Sequence, residues 1–408
     1  MKLLIVAPDF YPTNGGYANA ISNFFDCLSR DDSNIQITVF TPTPIGSNVE
    51  IQRNNVLILR FPFNRALMPF KVWEIVAYFK IRKFLKKNAI DVVFFETAEF
   101  GLLGYLLSIS FKKVLVRIHA CTETEVAIWG TRLYDKIHSF FIKLFLKKVK
   151  WILSTNSYHL GFYKKYFLMD DVYKIASKVF FVVPNTVVAD PGNEQLTIRA
   201  VRETELFPKY EIFLKQGQRI FFGLGRLNRV GLMQKGFEDL IYAVSFIKTE
   251  DEYLYNKIKI VLVGDGECRK YITNLINKLE LSEAFVIISK MEHKDVLAFM
   301  HESSATMLFS RFEGLSMFAL EALHSGSPLL FARSGGISDL IGDSGNGHLT
   351  DPQDIDGIKD GIKKILRSTE GEIEEMRKKS RSHFNENYAS EKTIKKFINI
   401  INLVNKCY

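Results

Sequence analysis

The chain has 408 residues, 47% of them hydrophobic and 24% charged, with a formal net charge of +9, a length that suits two domains of about 200 residues, each with its own core. No apolar run reaches the roughly 18 uncharged residues that span a bilayer, and the N-terminus shows no cleavable signal pattern. Cys27, Cys121, Cys268 and Cys407 are too scattered for zinc spacing, and a chain of this size expects no disulfide framework, so a reducing cytoplasm is the expected compartment.

Leu3 to Ala7 reads as a buried strand, and Asn14-Gly15-Gly16 opens the helix after it. A strand, a glycine pair and a helix start let backbone approach an anion, although a plain turn has the same signature. Further strands are expected at Ile35–Phe40, Val56–Arg60 and Val92–Phe95, with a helix over about Lys71–Lys87. Alternation of strand and helix predicts a parallel, doubly wound sheet. Strand Val114–Ile118 then delivers His119 at its carboxyl end, where such sheets bind ligands; a buried structural histidine fits the position equally.

A helix is expected from about Leu133 to Trp151, with Lys136, Lys143, Lys147 and Lys150 in one sector and Ile137, Phe140, Phe141, Leu144 and Phe145 on the other side. Such a helix packs its apolar face on the sheet and solvates its lysines, or meets an anionic membrane. Charge bears on that choice: residues 1–190 hold 24 Lys and Arg against 15 Asp and Glu, while the remainder holds 30 of each. The first half therefore expects an anionic surface, membrane or nucleic acid.

Strands at Trp151–Thr155 and Val179–Val183 complete the first domain, and the polar stretch 185–218 marks the boundary. The second half repeats the architecture, with strands near Arg219–Leu224, Ile258–Val263, Phe285–Ile288, Ala305–Phe309 and Pro328–Phe331. The fold expected is thus α/β, two Rossmann-like doubly wound parallel-sheet domains facing a cleft. The domains are placed at 1–190 and 191–408, with the final helix a candidate to pack back on the first.

The stretch Phe309-Ser310-Arg311-Phe312-Glu313-Gly314-Leu315-Ser316-Met317-Phe318-Ala319-Leu320-Glu321 sets two carboxylates at opposite ends of a loop-to-helix turn. Gly314 permits the turn and Ser316 is the natural N-cap of a helix over Met317–His324. The unpaired N–H groups and positive dipole end at such a start suit a diphosphate. Glu321, roughly 6 Å along the axis from Met317 at 1.5 Å per residue, can accept from two vicinal ribose hydroxyls. Upstream, Arg226 in Gly223-Leu224-Gly225-Arg226-Leu227 and Lys235 in Lys235-Gly236-Phe237 supply two cations at the sheet edge, enough to neutralise a leaving diphosphate without a metal.

The Glu-(seven residues)-Glu spacing around Glu-Gly-Leu-Ser, with Gly-Arg-Leu and Lys-Gly before it, resembles the signature of the retaining glycosyltransferases of family 4, which have the GT-B fold, and among them the bacterial surface-polysaccharide type. The resemblance runs from about residue 1 to 390 and is strong between 219 and 352. It departs from the pattern in a longer interval between Arg226 and Lys235, which is expected to loop out at Asn228–Gln234, and in Asp339 where Glu is usual. Val261–Gly266 resembles the family's strand followed by Gly-x-Gly and is given no catalytic role.

What the resemblance implies is transfer of a hexosyl group from a nucleotide-diphosphate sugar to a saccharide or lipid-linked saccharide, with retention, in cell-surface polysaccharide synthesis such as that of lipopolysaccharide or O-antigen. Arg226 and Lys235 would hold the diphosphate, Glu321 the ribose, and Glu313 with the amides of Leu315, Ser316 and Met317 the sugar and β-phosphate. Lys290 and Met291 would meet the base, Gly15 and Gly16 would bring backbone to the phosphate, and His119 would sit against the donor sugar. No cofactor and no metal are expected: Asp354-Ile355-Asp356 has the shape of a metal motif but reads as a solvated helix start after Pro352. The protein is expected to be cytoplasmic and peripheral on the inner face of the plasma membrane if the Lys136, Lys143, Lys147, Lys150 face meets anionic lipid. A sugar-nucleotide epimerase of the same fold is the alternative enzyme, and a nucleic-acid-binding protein, which would leave residues 219–352 unexplained, the distant one.

Overall fold

The computed structural model describes residues 1–8, 10, 16–31, 35–42, 51–53, 56–61, 69–119, 133–163, 178–187, 203–341 and 345–407. The chain divides into two units, residues 1–188 with 390–408, and residues 189–389.

The first unit runs β1 (Lys2–Val6), α1 (Gly16–Asp31), β2 (Gln36–Thr41), β3 (Ile51–Arg53), β4 (Val56–Arg60), α2 (Phe70–Lys87), β5 (Val92–Phe95), α3 (Gly101–Ser110), β6 (Val114–Ile118), α4 (Leu133–Lys148), β7 (Trp151–Ser154), α5 (Ser157–Tyr163) and β8 (Val179–Val182). Its sheet has the order β3-β4-β2-β1-β5-β6-β7-β8, parallel except where β3 pairs with β4. Alternation along β1 divides the core: Leu3 and Ile5 pack with Phe24, Phe25 and Leu28 of α1, while Leu4 and Val6 face Trp73 of α2, Leu103 of α3 and Ile142 of α4.

The second unit runs α6 (Glu203–Lys209), β9 (Arg219–Leu224), α7 (Arg229–Lys235), α8 (Phe237–Glu250), α9 (Glu252–Tyr255), β10 (Ile258–Val263), α10 (Arg269–Lys278), β11 (Phe285–Ile288), α11 (His293–Glu302), β12 (Ala305–Leu308), α12 (Met317–His324), β13 (Leu329–Ala332), a 3₁₀ turn at Gly335–Ile337, α13 (Ser338–Ile341), β14 (Gly347–Thr350), α14 (Ile355–Arg367) and α15 (Glu370–Asn387). Its sheet is parallel, in the order β11-β10-β9-β12-β13-β14. Both units are therefore Rossmann-like α/β layers.

The last helix, α16 (Ser390–Lys406), belongs to the first unit. Ile394, Phe397, Ile400, Ile401 and Val404 are buried there, and the Phe397 ring meets Phe24 and Phe94 at centroid distances of 5.1 and 5.0 Å. Each such side chain is worth up to about 1.5–3 kcal/mol, so α16 is part of that unit's core rather than an appendage.

Three local expectations are corrected. The short edge strands β3 and β14 carry too little aliphatic sequence to be seen without their neighbours. The helix expected to reach Trp151 ends at Lys148, so Lys150 lies beyond it, 5.0 Å from the Trp151 ring centroid. The buried face of α4 is also not the one its apolar count suggests: His138, Ile142, Phe145 and Leu146 are buried, whereas Ile137 and Phe140 are exposed beside Lys136. The cause is α3, whose Gly101 and Gly104 admit α4 so closely that an added Cβ would lie 2.5 Å from the Ile142 nitrogen and from the Phe145 ring. No described helix is long and apolar enough to cross a membrane.

Candidate functional site

In an open parallel sheet, ligands bind beyond the carboxyl ends of the two strands where the order reverses. In the second unit those strands are β9 and β12, paired through Ala305 with Phe221, Thr306 with Phe222 and Met307 with Gly223. The loop after β9 carries Arg226, and the loop after β12 carries Glu313.

Glu313 is held by two donors on one oxygen. Lys235 Nζ lies 2.5 Å and Ser310 Oγ 2.8 Å from its Oε1, with the side chains of Glu313 and Lys235 only 9% and 14% exposed. Oε2 has no partner among the described residues. Lys235 reaches this point through α7, whose N-cap Asn228 accepts from the Gly231 amide at 2.7 Å. The interval expected to loop out is thus a capped helix. Gly236 ends it with φ of 65° and lies against the Phe309 carbonyl, where an added Cβ would be 2.2 Å from the oxygen, so both the turn and the approach require glycine. Two further bonds join the segments: the Arg311 amide donates to Gln234 O at 2.8 Å, and Gln234 Nε2 donates to Phe312 O at 3.0 Å.

Behind Glu313, the Gly336 amide donates to Gly314 O at 3.0 Å. Gly335, at φ of 54°, presses so near that a Cβ would lie 1.9 Å from the backbone carbonyl oxygen of Glu313. The closing segment 334–337 therefore supports the backbone of the turn. Leu315 is buried and Ser316 occupies the N-cap position in extended conformation, but its hydroxyl makes no capping bond. The first amides of α12, from Met317 onward, have no intrahelical acceptor.

One turn into α12, Glu321 Oε1 is 3.0 Å from His293 Nε2. The hydrogen bond and the carboxylate charge raise the His293 pKa above its ordinary value, against the opposing pull of burial. His293 went unrecognised in the sequence, though the loop Lys290-Met291-Glu292 leads directly into it. Lys290 is exposed and Met291 buried at the carboxyl end of β11, and the Arg226 guanidinium is exposed with no partner among the described residues. Asp354 caps α14 by accepting from the Gly357 amide at 2.9 Å, and Asp356 pairs with Lys359 at 3.0 Å.

In the first unit the order reverses between β1 and β5. Glu96 directly follows β5 and His119 follows β6. Gly16 opens α1, and Gly15 lies outside the described residues. His119 is 3% exposed, its Nε2 2.6 Å from Glu96 Oε2, and Arg117 Nε donates to the same oxygen at 3.0 Å. Arg117 Nε is also 3.0 Å from His119 Nε2. One ring nitrogen cannot both accept from Arg117 and donate to Glu96, and the shorter contact with an ionised carboxylate identifies it as the donor. Burial alone would raise the Glu96 pKa, but the Arg117 charge and the two bonds hold it low. Burial, aided by the Arg117 charge, lowers that of His119 despite Glu96. The imidazole is therefore neutral at neutral pH. Neither Glu96 nor Arg117 was singled out in the sequence, although Glu96 obeys the same carboxyl-end rule that points to His119.

Against known proteins, residues 208–387 match the family of glycosyl transferases group 1. A protein of Methanocaldococcus jannaschii described as an uncharacterized glycosyltransferase is 25% identical over 412 residues, covering 97% of this chain and 96% of that one. The N-acetyl-alpha-D-glucosaminyl L-malate synthase of Bacillus anthracis is 26% identical over 189 residues, 46% of each chain. The structure of a sucrose-phosphate synthase from Thermosynechococcus elongatus superposes with a TM-score of 0.77 over 100% of both chains at 14% identity. Together these support a glycosyltransferase: the chain has the GT-B fold of two parallel-sheet Rossmann-like units, and its residues 208–387 match the model of the glycosyl transferases group 1 family.

Proposed function

We propose that this protein is a retaining hexosyltransferase that moves a sugar from a nucleotide-diphosphate donor to a saccharide or lipid-linked saccharide, in cell-surface polysaccharide synthesis at the inner face of the plasma membrane. The observation that carries the donor reading is the gathering, at one strand-order reversal, of the Lys235–Glu313 pair, an Arg226 with no partner among the described residues, a helix N-terminus and Glu321. When the bond from the anomeric carbon to the diphosphate oxygen breaks, negative charge grows on the phosphate and positive charge on the sugar ring. Arg226, Lys235 and the first amides of α12 stabilise the former, while the free oxygen of Glu313 faces the latter or a sugar hydroxyl. Glu321 accepts from the ribose hydroxyls, Lys290 and Met291 border the base, and Gly15, Gly16 and His119 keep the donor-side roles that the family resemblance implies.

Two cations and a helix dipole already oppose the diphosphate charge, so the reaction proceeds without a metal or other cofactor on this reading. The names of the relatives favour a sugar transfer, one to L-malate and one giving sucrose phosphate. The test is thermal unfolding with UDP-, GDP- and dTDP-sugars, followed by activity with the stabilising donor before and after EDTA. One donor should raise the midpoint of the wild type and not of Glu321→Ala, since a bound donor stabilises by mass action. No shift with any donor would overturn the donor reading, and activity lost to EDTA and restored by Mg²⁺ or Mn²⁺ would overturn metal independence.

A further inference from the structure

Helices α2, α3 and α4 lie on one side of the first sheet and turn an unusual surface outward. On α2 the outward ridge is Val72, Ile75 and Phe79, the last 59% exposed, followed by Arg82, Lys83, Lys86 and Lys87. On α4 it is Leu133, Ile137 and Phe140, 74%, 41% and 56% exposed, with Lys136 and Lys148 beside them and Lys143 and Lys147 half-buried. Each ridge is apolar in its N-terminal half and basic toward its C-terminal end. The apolar halves abut, because the Phe70 ring lies 6.2 Å from His138 and Lys71 Nζ 5.6 Å from the Phe141 ring. Between them α3 carries no charged residue and exposes Ile109.

The charge on this face is one-sided. The three helices hold ten Lys and Arg against two acids, Glu74 and Asp135. Glu74 is fully buried, 2.5 Å from Lys71 and accepting from the Leu103 amide, so it does not offset the surface cations. The helix N-termini of a parallel unit point toward the carboxyl ends of its strands, which brings the apolar halves to the edge that carries Glu96 and His119.

We propose that this face is the surface on which the protein docks to an anionic lipid bilayer, with Val72, Ile75, Phe79, Leu133, Ile137 and Phe140 entering the headgroup layer and the flanking lysines and arginines meeting acidic headgroups. A bilayer satisfies both halves of the pattern. A second copy would set ten cations against ten, and a nucleic acid would use the cations while leaving the aliphatic ridges in water. The contact is peripheral, since none of the described helices can span. It supplies the surface on which a lipid-linked acceptor is met and to that extent rests on the proposed function, but its evidence lies wholly in the first unit.

The test is co-sedimentation with vesicles of phosphatidylcholine, alone or with one part in three of phosphatidylglycerol, for the wild type, Ile75→Ser/Phe79→Ser/Phe140→Ser, and Lys83→Gln/Lys86→Gln/Lys136→Gln/Lys148→Gln. The wild type should bind the anionic vesicles at low salt and release as salt rises. Each variant should lose at least tenfold in partitioning, the charge variant more, because one cation near an anionic surface contributes about fivefold. Every substitution is at an exposed position, so the unfolding midpoint and the donor-induced shift serve as controls for folding and for the donor site. Equal partitioning to both vesicle types, or undiminished binding by the apolar variant, overturns the proposal, as does tighter retention on duplex DNA lost equally in the charge variant alone. A failed donor shift with vesicle binding intact would strike the proposed function and leave this surface standing.

Discussion

The two units share a topology and place carboxylates and a histidine at the same edge, yet they treat them in opposite ways. In the first, Glu96 and His119 are sealed with Arg117: the Arg117 charge and the hydrogen bonds keep the carboxylate ionised against burial, while burial keeps the imidazole neutral. In the second, Glu321 and His293 meet at the surface, where the hydrogen bond rather than burial dominates and pushes the imidazole upward. The same residue pair is therefore held rigidly when enclosed and left adaptable when open, because the cost of a buried charge locks the first and water relaxes the second.

The largest effect expected from breaking this contrast is at Glu96. Glu96→Gln leaves Arg117, fully buried, without a carboxylate and should cost about 3–5 kcal/mol in the first unit's stability by urea unfolding. A loss below about 1 kcal/mol would mean that Arg117 is neutralised elsewhere. In the open unit, Arg226→Ala should lower kcat by about 10²–10³ while the unfolding midpoint stays unchanged, since the exposed guanidinium has no partner among the described residues. Near wild-type turnover would remove Arg226 from the diphosphate.

The smallest effect, and the sharpest on the comparison, is in the two titrations. By NMR, His119 should titrate below 6.5 and His293 above it, and Glu321→Gln should return His293 toward 6.5 while leaving His119 unmoved. For His119 the folded pKa is depressed, so the unfolded chain takes the proton more readily and stability falls as pH drops below about 6.5. For His293 it is raised, so a small stabilisation is present below about 6.5 and is lost as pH rises through the folded value; its exposure keeps that contribution slight. Titration of both histidines on the same side of 6.5 would end the distinction drawn between the units.

Much of this was legible in the amino-acid sequence because it rests on neighbours along the chain. Apolar runs of four to six residues mark the parallel strands, and several, Val92–Phe95, Val114–Ile118 and Ile258–Val263 among them, are found at the expected residues. The turn from Phe309 into α12 was equally readable, since buried strand, glycine and helix periodicity are local signals that place Glu313 and Glu321 a fixed distance apart. Only the tertiary structure decided who meets whom. Lys235 and Glu313 are 78 residues apart, and a contiguous pattern does not encode their bond. His293 reaches Glu321, and Arg117 and Glu96 enclose His119, through strand order, which depends on crossovers between distant segments. Which face α4 buries was settled by two glycines on α3 that let it approach, overriding its own apolar count and leaving Ile137 and Phe140 in the open. Periodicity states that a helix has faces; the packing partner, through the closeness it permits, selects which of them is buried.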